Sequence, residues 1–206
     1  MRADAKKNYD QLLAVARAVV TEEGADASLR DIARRAGVGL ATLYRHFPTR
    51  EALLEALLRE SFDELAAQAA VLETTEPPED ALMTWLRNCV AFAHAYRGVT
   101  ELMVAAIEAP ESALHASCVT MRAAGTRLLT RAQTAGTAQA DIDGADLFAL
   151  VSGLAWLSDQ PALTPRAGHL FGLIASTILT DQANADVRER LRPAVRVESA
   201  SHGEAN

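Results

Sequence analysis

The stretch that decides the fold is SLRDIARRAGVGLATLYRHF, residues 28–47. Ser28 is a favourable helix N-cap, and Asp31 follows it at the spacing of a capping box. Residues 37–39, Gly-Val-Gly, interrupt the pattern after this short helix, and residues 40–47 form a second one. Two short helices joined by a glycine-containing turn predict a helix-turn-helix.

The second helix of this unit has one apolar side and one side rich in hydrogen-bond donors. Leu43 and Phe47 lie four residues apart, share a face and are predicted to point inward, and Pro48 ends the helix. In a helix-turn-helix the second helix lies in the major groove, which explains why the other side is polar. The side chains left free to meet DNA are Leu40, Ala41, Thr42, Tyr44, Arg45 and His46.

Each donor has a matching partner on a duplex. Arg45 can bridge O6 and N7 of a guanine, and the hydroxyl and imidazole groups can donate to phosphates. Ser28 and Thr49 stand at helix N-termini, where free N–H groups favour a phosphate, and Arg50 adds a positive charge. From these residues alone, a solvated face on an ordinary three-helix bundle remains the alternative.

The charge distribution favours DNA at one end of the chain. The 206-residue protein has a net charge of −7, but residues 1–50 carry nine basic and six acidic side chains, which gives them +3. Residues 51–206 therefore carry −10. A basic end on an acidic body is the asymmetry expected when one end binds a polyanion.

Several other classes of protein are disfavoured. No apolar run approaches the roughly 18 residues of a membrane span, and the N-terminus lacks the apolar region of a signal peptide. Cys89 and Cys118 are too few for a disulfide framework, so we expect a reducing cytoplasm. We find no hydrolase, P-loop or metalloprotease motif, and we expect neither an enzyme nor a cofactor. His115 and Cys118 could share a metal ion, but two ligands do not make a zinc site.

The rest of the chain is also predicted to be helical, so the fold class is all-α. A linking helix over about 50–72 ends at the polar, proline-containing ETTEPPED, residues 73–80. We predict three parts: a DNA-binding domain (1–50), a helical effector-binding and dimerisation domain (51–192) and a disordered tail (193–206). Further helices are predicted over about 79–97, 100–108, 111–135, 144–158, 165–182 and 185–192.

The stretch from Ser28 to Leu57, with its IA..AGV, TLYRHF and EALL motifs, resembles the DNA-binding domain of TetR-family transcriptional regulators. The resemblance covers residues of about 9–58 and implies an all-helical homodimer. Most members of that family are repressors that a small ligand releases from a near-palindromic operator. By position, Tyr44 and His46 match phosphate contacts, and Gly39 departs from the Ser, Thr or Ala that is frequent there. Arg30, Thr42 and Arg45 match positions that contact bases or backbone. Arg50 matches the basic residue at the start of the fourth helix, and Leu40 and Ala41 fall at variable specificity positions.

Two apolar segments near the C-terminus, DLFALVSGLAWLSD (146–159) and GHLFGLIASTILTD (168–181), are apolar around most of their helical circumference. Such helices are buried on several sides. Both could lie in the core of one subunit. With the family resemblance, we expect each to give one face to a twofold four-helix interface.

An effector pocket would be apolar with a few convergent polar groups. The same side chains could instead serve only in core packing, and a DNA-binding regulator without an effector, or an activator, remains an alternative. The candidate pocket residues are Trp85, Cys89, Phe92, Tyr96, Met103, Ile107, Leu114, Cys118, Met121, Arg122 and Trp156.

Overall fold

The computed structural model describes residues 2–96, 109–158, 160 and 162–190. Within these ranges no β-strand forms, apart from an isolated antiparallel bridge between Ala138 and Leu179, so the all-α prediction is confirmed. A short 3₁₀ turn, Thr164–Arg166, precedes the helix that begins at Ala167. The helices are α1 (Arg2–Glu23), α2 (Leu29–Arg35), α3 (Leu40–His46), α4 (Arg50–Thr75), α5 (Pro78–Ala95), α6 (Ala113–Thr134), α7 (Gly144–Ser158), α8 (Ala167–Ile178) and α9 (Asp181–Arg190).

The first three helices form the predicted helix-turn-helix unit. Gly24 ends α1 with a φ of 87°, and Gly37 makes the turn after α2 with a φ of 68°, a conformation that favours glycine. Ser28 Oγ accepts the N–H of Asp31 at 3.4 Å, which confirms the N-cap. The reciprocal half of the capping box does not form, because Arg34 binds the Asp31 carboxylate.

Helix α4 connects this unit to the body of the protein. Thr49 Oγ1 caps it by accepting the N–H of Ala52 at 3.1 Å. The helix runs to Thr75, a little beyond the predicted end, and the chain turns before Pro78 starts α5. In the body, α4 packs mainly on α6, and α5 packs on α4, α6 and α7.

Trp85 is the largest side chain of the body core and requires a glycine opposite it. It is 1% exposed, and its indole Nε1 donates to the carbonyl oxygen of Leu65 at 2.9 Å. A Cβ atom at Gly125 of α6 would overlap Cη2 of Trp85 and lie 2.6 Å from its Cζ3. The close approach of α6 to α5 therefore depends on the absence of a side chain at Gly125.

The predicted single helix over 165–182 is wrong. Thr164 does not cap this helix, and its hydroxyl donates back to the carbonyl oxygen of Gln160 at 3.2 Å. The helix ends at Ile178, whose carbonyl accepts the N–H of Gln139, and Leu179 is extended. The Ile178 carbonyl oxygen is thus hydrogen-bonded to the loop after α6 and, within the described residues, does not accept a bond from the next helical turn. The helix predicted over 100–108 and the tail predicted over 193–206 lie outside the described residues.

Nothing in the described part of the chain is suited to crossing a bilayer, since none of its helices combines the necessary length and apolar character.

Gly125→Ala should lower the free energy of unfolding by about 1–3 kcal/mol, because the added methyl group overlaps the Trp85 ring. Chemical denaturation monitored by circular dichroism measures this change. In Gly125→Ala/Trp85→Phe the smaller ring lacks the overlapping atoms, so the two losses should be clearly less than additive. Strict additivity would show that the contact does not limit helix approach.

Candidate nucleic-acid interface and internal cavity

Helix α3 has a buried side and a solvent-exposed side, as its sequence predicted. Leu43 is 0% exposed and Phe47 is 3% exposed, and both belong to the hydrophobic core. Tyr44 is 46% exposed, and Arg45 is also exposed, together with Ala41. Leu40 and Thr42 are half-buried. The arrangement leaves the donor groups of α3 at the surface of the helix-turn-helix unit.

Arg45 lies along its own helix. Its Nη2 donates to Thr42 Oγ1 at 3.1 Å, and its Nε makes a long contact of 3.4 Å with the carbonyl of Ala41. No described acidic side chain pairs with Arg45. Its charge is therefore available to a ligand, and binding would replace only the two hydrogen bonds that Arg45 makes within α3.

His46 is held by aromatic packing at the end of α3. Its ring lies edge-on to Tyr9 of α1, with 5.9 Å between the ring centroids, and 6.3 Å from the Phe47 ring. A cleft of about 230 Å³ opens beside it and is bounded by Glu55 and Arg59 of α4. The imidazole is half-buried, so packing fixes its direction before any partner arrives.

The two capping hydroxyls are already engaged. Ser28 caps α2, and Thr49 accepts the N–H of Ala52 at the start of α4. The backbone N–H of Glu51, followed by the Thr49 hydroxyl, lowers the pKa of the Glu51 carboxyl below its ordinary value. Among the described residues, the exposed Ser28 hydroxyl acts only as an acceptor, from the N–H of Asp31.

The predicted basic contacts Arg30 and Arg50 differ in their surroundings. Arg50 Nη1 donates to the carbonyl oxygen of Ala25 at 2.8 Å and lies 3.9 Å from Asp26 Oδ1. Arg50 thus holds the loop between α1 and α2 against the start of α4. Arg30 is exposed, and no described carboxylate lies within ion-pair distance of it.

Folding neutralises several of the basic residues that the sequence count included. Arg35 pairs with Glu22 and Glu23 at 2.9 Å each. Arg34 pairs with Asp31, and Arg17 pairs with Glu60 and Glu64 of α4. Lys6 and Lys7 on α1 are exposed and have no described acidic partner. Sequence reasoning did not single out these two lysines, although Lys6 lies one turn before Tyr9, the residue that touches His46.

Comparison with known proteins assigns the family. The family model described as "Bacterial regulatory proteins, tetR family" matches residues 12–57, and the model "Transcriptional regulator SbtR-like, C-terminal domain" matches residues 77–178. The crystal structure of a TetR transcriptional regulator from Streptomyces coelicolor is 37% identical, with a TM-score of 0.66, over 84% of this chain and 98% of that chain. The chain belongs to the TetR family of transcriptional regulators.

Other relatives agree with this assignment. A TetR transcription regulatory protein from Mycobacterium vanbaalenii is 31% identical, with a TM-score of 0.62, and the match covers 87% of this chain and 99% of that chain. An HTH-type transcriptional regulator of Staphylococcus aureus (strain USA300) is 36% identical over 64 residues, which is 31% of this chain. That match spans 35%, about a third, of the curated relative. This TetR-family protein is a DNA-binding regulator and not an enzyme.

The body of the TetR-family regulator contains a small apolar cavity of about 40 Å³. It lies between α4, α5, α6 and α7, and its lining is almost entirely apolar. The volume is close to that of a single water molecule in the liquid, about 30 Å³, so a larger ligand requires the walls to move apart. The lining residues are Phe62, Leu65, Cys89, Phe92, Ala93, Met121, Phe148, Val151, Ser152 and Ala155.

Some predicted pocket residues line this cavity and others lie next to it. Cys89, Phe92 and Met121 are in its walls, and burial raises the pKa of the Cys89 thiol to about 12. The Arg122 guanidinium lies 4.8 Å from the centroid of Phe148, which is itself a wall residue. Cys118 is buried on the same helix as Arg122 but does not line the cavity.

The remaining predicted pocket residues lie elsewhere. Leu114 and Trp85 are core residues that do not line the cavity, and the Tyr96 hydroxyl is hydrogen-bonded to Ser61 at 3.0 Å. Trp156 is 59% exposed on the outer side of α7 and lines none of the described cavities. Met103 and Ile107 lie outside the described residues. In the described residues, no group of three or more His, Cys, Asp and Glu side chains could hold a metal ion.

Arg50→Met should lower the free energy of unfolding by about 1 kcal/mol, because the Ala25 carbonyl loses its hydrogen bond. Arg30→Met is the matched control and should change the free energy by less than about 0.5 kcal/mol, since Arg30 has no described partner. Thermal or urea unfolding of both variants measures the difference. Equal effects would mean that Arg50 does not stabilise the loop.

Proposed function

We propose that this TetR-family regulator is a homodimeric repressor that leaves its operator when a small molecule binds the body. Residues 1–50 form the DNA-binding part, and residues 51–192 form the effector-binding and dimerisation part. The observation that carries the proposal is the solvent-exposed, donor-rich side of α3, which lies opposite the buried Leu43 and Phe47. A surface of this kind is suited to base edges and phosphates.

The proposed DNA contacts follow from the geometry of α3 and its neighbours. Arg45 reads a guanine, while Tyr44 and His46 donate to phosphates. Arg30, Lys6 and Lys7 add positive charge that has no acidic partner among the described side chains, and this charge on α2 and α1 favours binding to the polyanion. Ser28, Leu40, Ala41, Thr42, Thr49 and Arg50 complete the proposed surface; of these, Thr49 and Arg50 contribute mainly by holding the N-terminus of α4 in place.

An uncovered apolar face on α7 and α8 supports the homodimer. Trp156 is 59% exposed and Leu173 is 49% exposed, whereas large apolar side chains are normally covered when they cluster. On the same two helices, a Cβ atom added at Gly153 or Gly172 would meet nothing within 4 Å. Small residues beside large apolar ones allow helices of a second copy to approach closely. A dimer would place two α3 helices about 34–36 Å apart, one turn of DNA.

The apolar cavity supports an effector of largely apolar character. Phe62 and Leu65 of α4 form part of its wall, and α4 begins directly after the helix-turn-helix unit. A ligand that widens the cavity displaces α4 and with it the DNA-binding unit. Such a ligand weakens operator binding only by its differential affinity for the two arrangements.

Arg45→Ala should weaken binding to the selected operator by about 1–3 kcal/mol and relax the preference at one base pair. Fluorescence anisotropy with operator and random DNA at fixed salt measures both affinities. An equal loss on the two DNAs would identify Arg45 as a phosphate contact instead of a base contact.

Trp156→Glu and Leu173→Glu should each convert the dimer to a monomer, because a charge would be buried in the apolar interface. Val119→Glu is the matched control, since Val119 is 51% exposed but belongs to α6 and not to α7 or α8. Analytical ultracentrifugation separates the outcomes. If the wild-type protein is monomeric at micromolar concentration, the dimer proposal fails.

The repressor assignment has its own test. Operator DNA bound to the purified protein is titrated with a panel of apolar metabolites, and transcription from the same DNA is measured in vitro with and without protein. Release by a metabolite and lower transcription with protein support the proposal. Binding that no metabolite relieves indicates a regulator without an effector, and higher transcription with protein indicates an activator.

A further inference from the structure

Arg17, on α1, binds two carboxylates of α4 at once. Its Nη2 lies 2.8 Å from Glu60 Oε2, and its Nη1 lies 2.7 Å from Glu64 Oε2. The hydrogen bond that Arg17 donates to Glu64 is the largest cause that raises the pKa of Arg17 above its ordinary value. Since Glu60 and Glu64 are one helical turn apart, one planar guanidinium spans a full turn of α4. These three residues are called the Arg17 network below.

The Arg17 network lies where the DNA-binding unit meets the body. Arg17 and Glu64 line an open cleft of about 320 Å³, and Tyr96 at the end of α5 lines it too. The Tyr96 hydroxyl is hydrogen-bonded to Ser61 of α4, and burial raises the pKa of this phenol. Helix α1 also contacts α5 directly. A helix of the DNA-binding unit, the connecting helix and a helix of the body therefore meet at one place.

Helix α1 fixes the position of the recognition helix α3. The ring of Tyr9 packs against Phe47 at 5.1 Å between centroids, and Gln11 Nε2 donates to the carbonyl of Ala36 at the end of α2 at 2.9 Å. Near the other end of α1, Arg17 holds the helix to α4. The angle of α1 against α4 is thus also the angle of α3 against the body.

The Arg17 network is too exposed to stabilise the fold strongly. The side chains of Arg17, Glu60 and Glu64 are 32%, 46% and 49% exposed, and ion pairs of this kind contribute little to the free energy of unfolding. The network can nevertheless define the orientation of α1 relative to α4, because two carboxylates on one guanidinium restrict rotation in a way that a single flexible ion pair does not. The network is therefore suited to setting an angle.

We propose that Arg17 is a positioning residue for operator binding, which fixes the angle of both recognition helices to the dimer body and so selects the half-site spacing. This inference rests on the proposed dimeric operator binding. Without the network, each DNA-binding unit still recognises its half-site. The two units no longer share one preferred separation, so affinity for the correctly spaced operator falls while tolerance of other spacings rises.

The test uses the full-length protein and an operator that the wild-type protein selects from random DNA. Four DNAs are compared: the operator, a single half-site, and operators with one or two base pairs inserted at the centre. Arg17→Met and the double variant Glu60→Gln/Glu64→Gln should lose roughly 2- to 30-fold in affinity for the operator. Both should bind the half-site as the wild-type protein does and discriminate less against the inserted spacings.

Arg35→Met is the matched control. Arg35 also binds two glutamates, Glu22 and Glu23, and in addition Asp31, but all these ion pairs lie inside the DNA-binding unit. This variant should keep the wild-type spacing preference. Arg17→Lys retains the charge but not the fork geometry, so its preference should fall between those of the wild type and Arg17→Met.

The outcomes are distinguishable. If the wild-type protein itself shows no spacing preference, the proposed dimeric function fails. If the wild type has the preference and the double glutamine variant keeps it, the inference about Arg17 is overturned. An equal loss on operator and half-site also overturns it, because Arg17 would then act on DNA directly or on the stability of the unit. Should Arg17→Met unfold, the double glutamine variant decides.

Discussion

The burial of Leu43 and Phe47 is the interaction on which the DNA-binding surface depends. Helix α3 has only seven residues, and a helix of that length is not stable in water without tertiary packing. Each of these side chains contributes about 1.5–3 kcal/mol when it is fully buried. Because the inner positions are fixed by the core, Tyr44 and Arg45, which lie between them, face solvent, whereas His46 is half-buried against Tyr9. The direction of Tyr44 and Arg45 is thus a consequence of where Leu43 and Phe47 are placed.

Helix α4 carries this constraint into the rest of the molecule. It has 26 residues, which corresponds to about 39 Å at 1.5 Å per residue. Its first turns bury Leu53 and Leu57, and later turns bury Leu65 and Ala69. The helix also provides part of the cavity wall and both carboxylates that bind Arg17. A change in the body therefore has a direct mechanical route to the DNA-binding unit.

Charge is distributed differently in the fold than along the chain. By sequence, residues 1–50 carry a net charge of +3, but the acids Glu22, Glu23 and Asp31 of this region pair with Arg34 and Arg35 in the fold. Positive charge without a described acidic partner remains on α1, α2 and α3, at Lys6, Lys7, Arg30 and Arg45. This pairing concentrates the available charge on fewer residues than the sequence count implied.

The sequence by itself determined the local features of this protein. The caps at Ser28 and Thr49, the glycine turn at Gly37 and the inward face of α3 all depend on residues a few positions apart, and the family motifs lie in the same stretch. Only the tertiary structure decided how distant groups are used. Arg50 holds a loop carbonyl, Trp156 lies on the surface, and the backbone of the loop after α6 ends α8 at Ile178. Each of these depends on contacts between residues far apart in sequence, which helical periodicity and spacing cannot show.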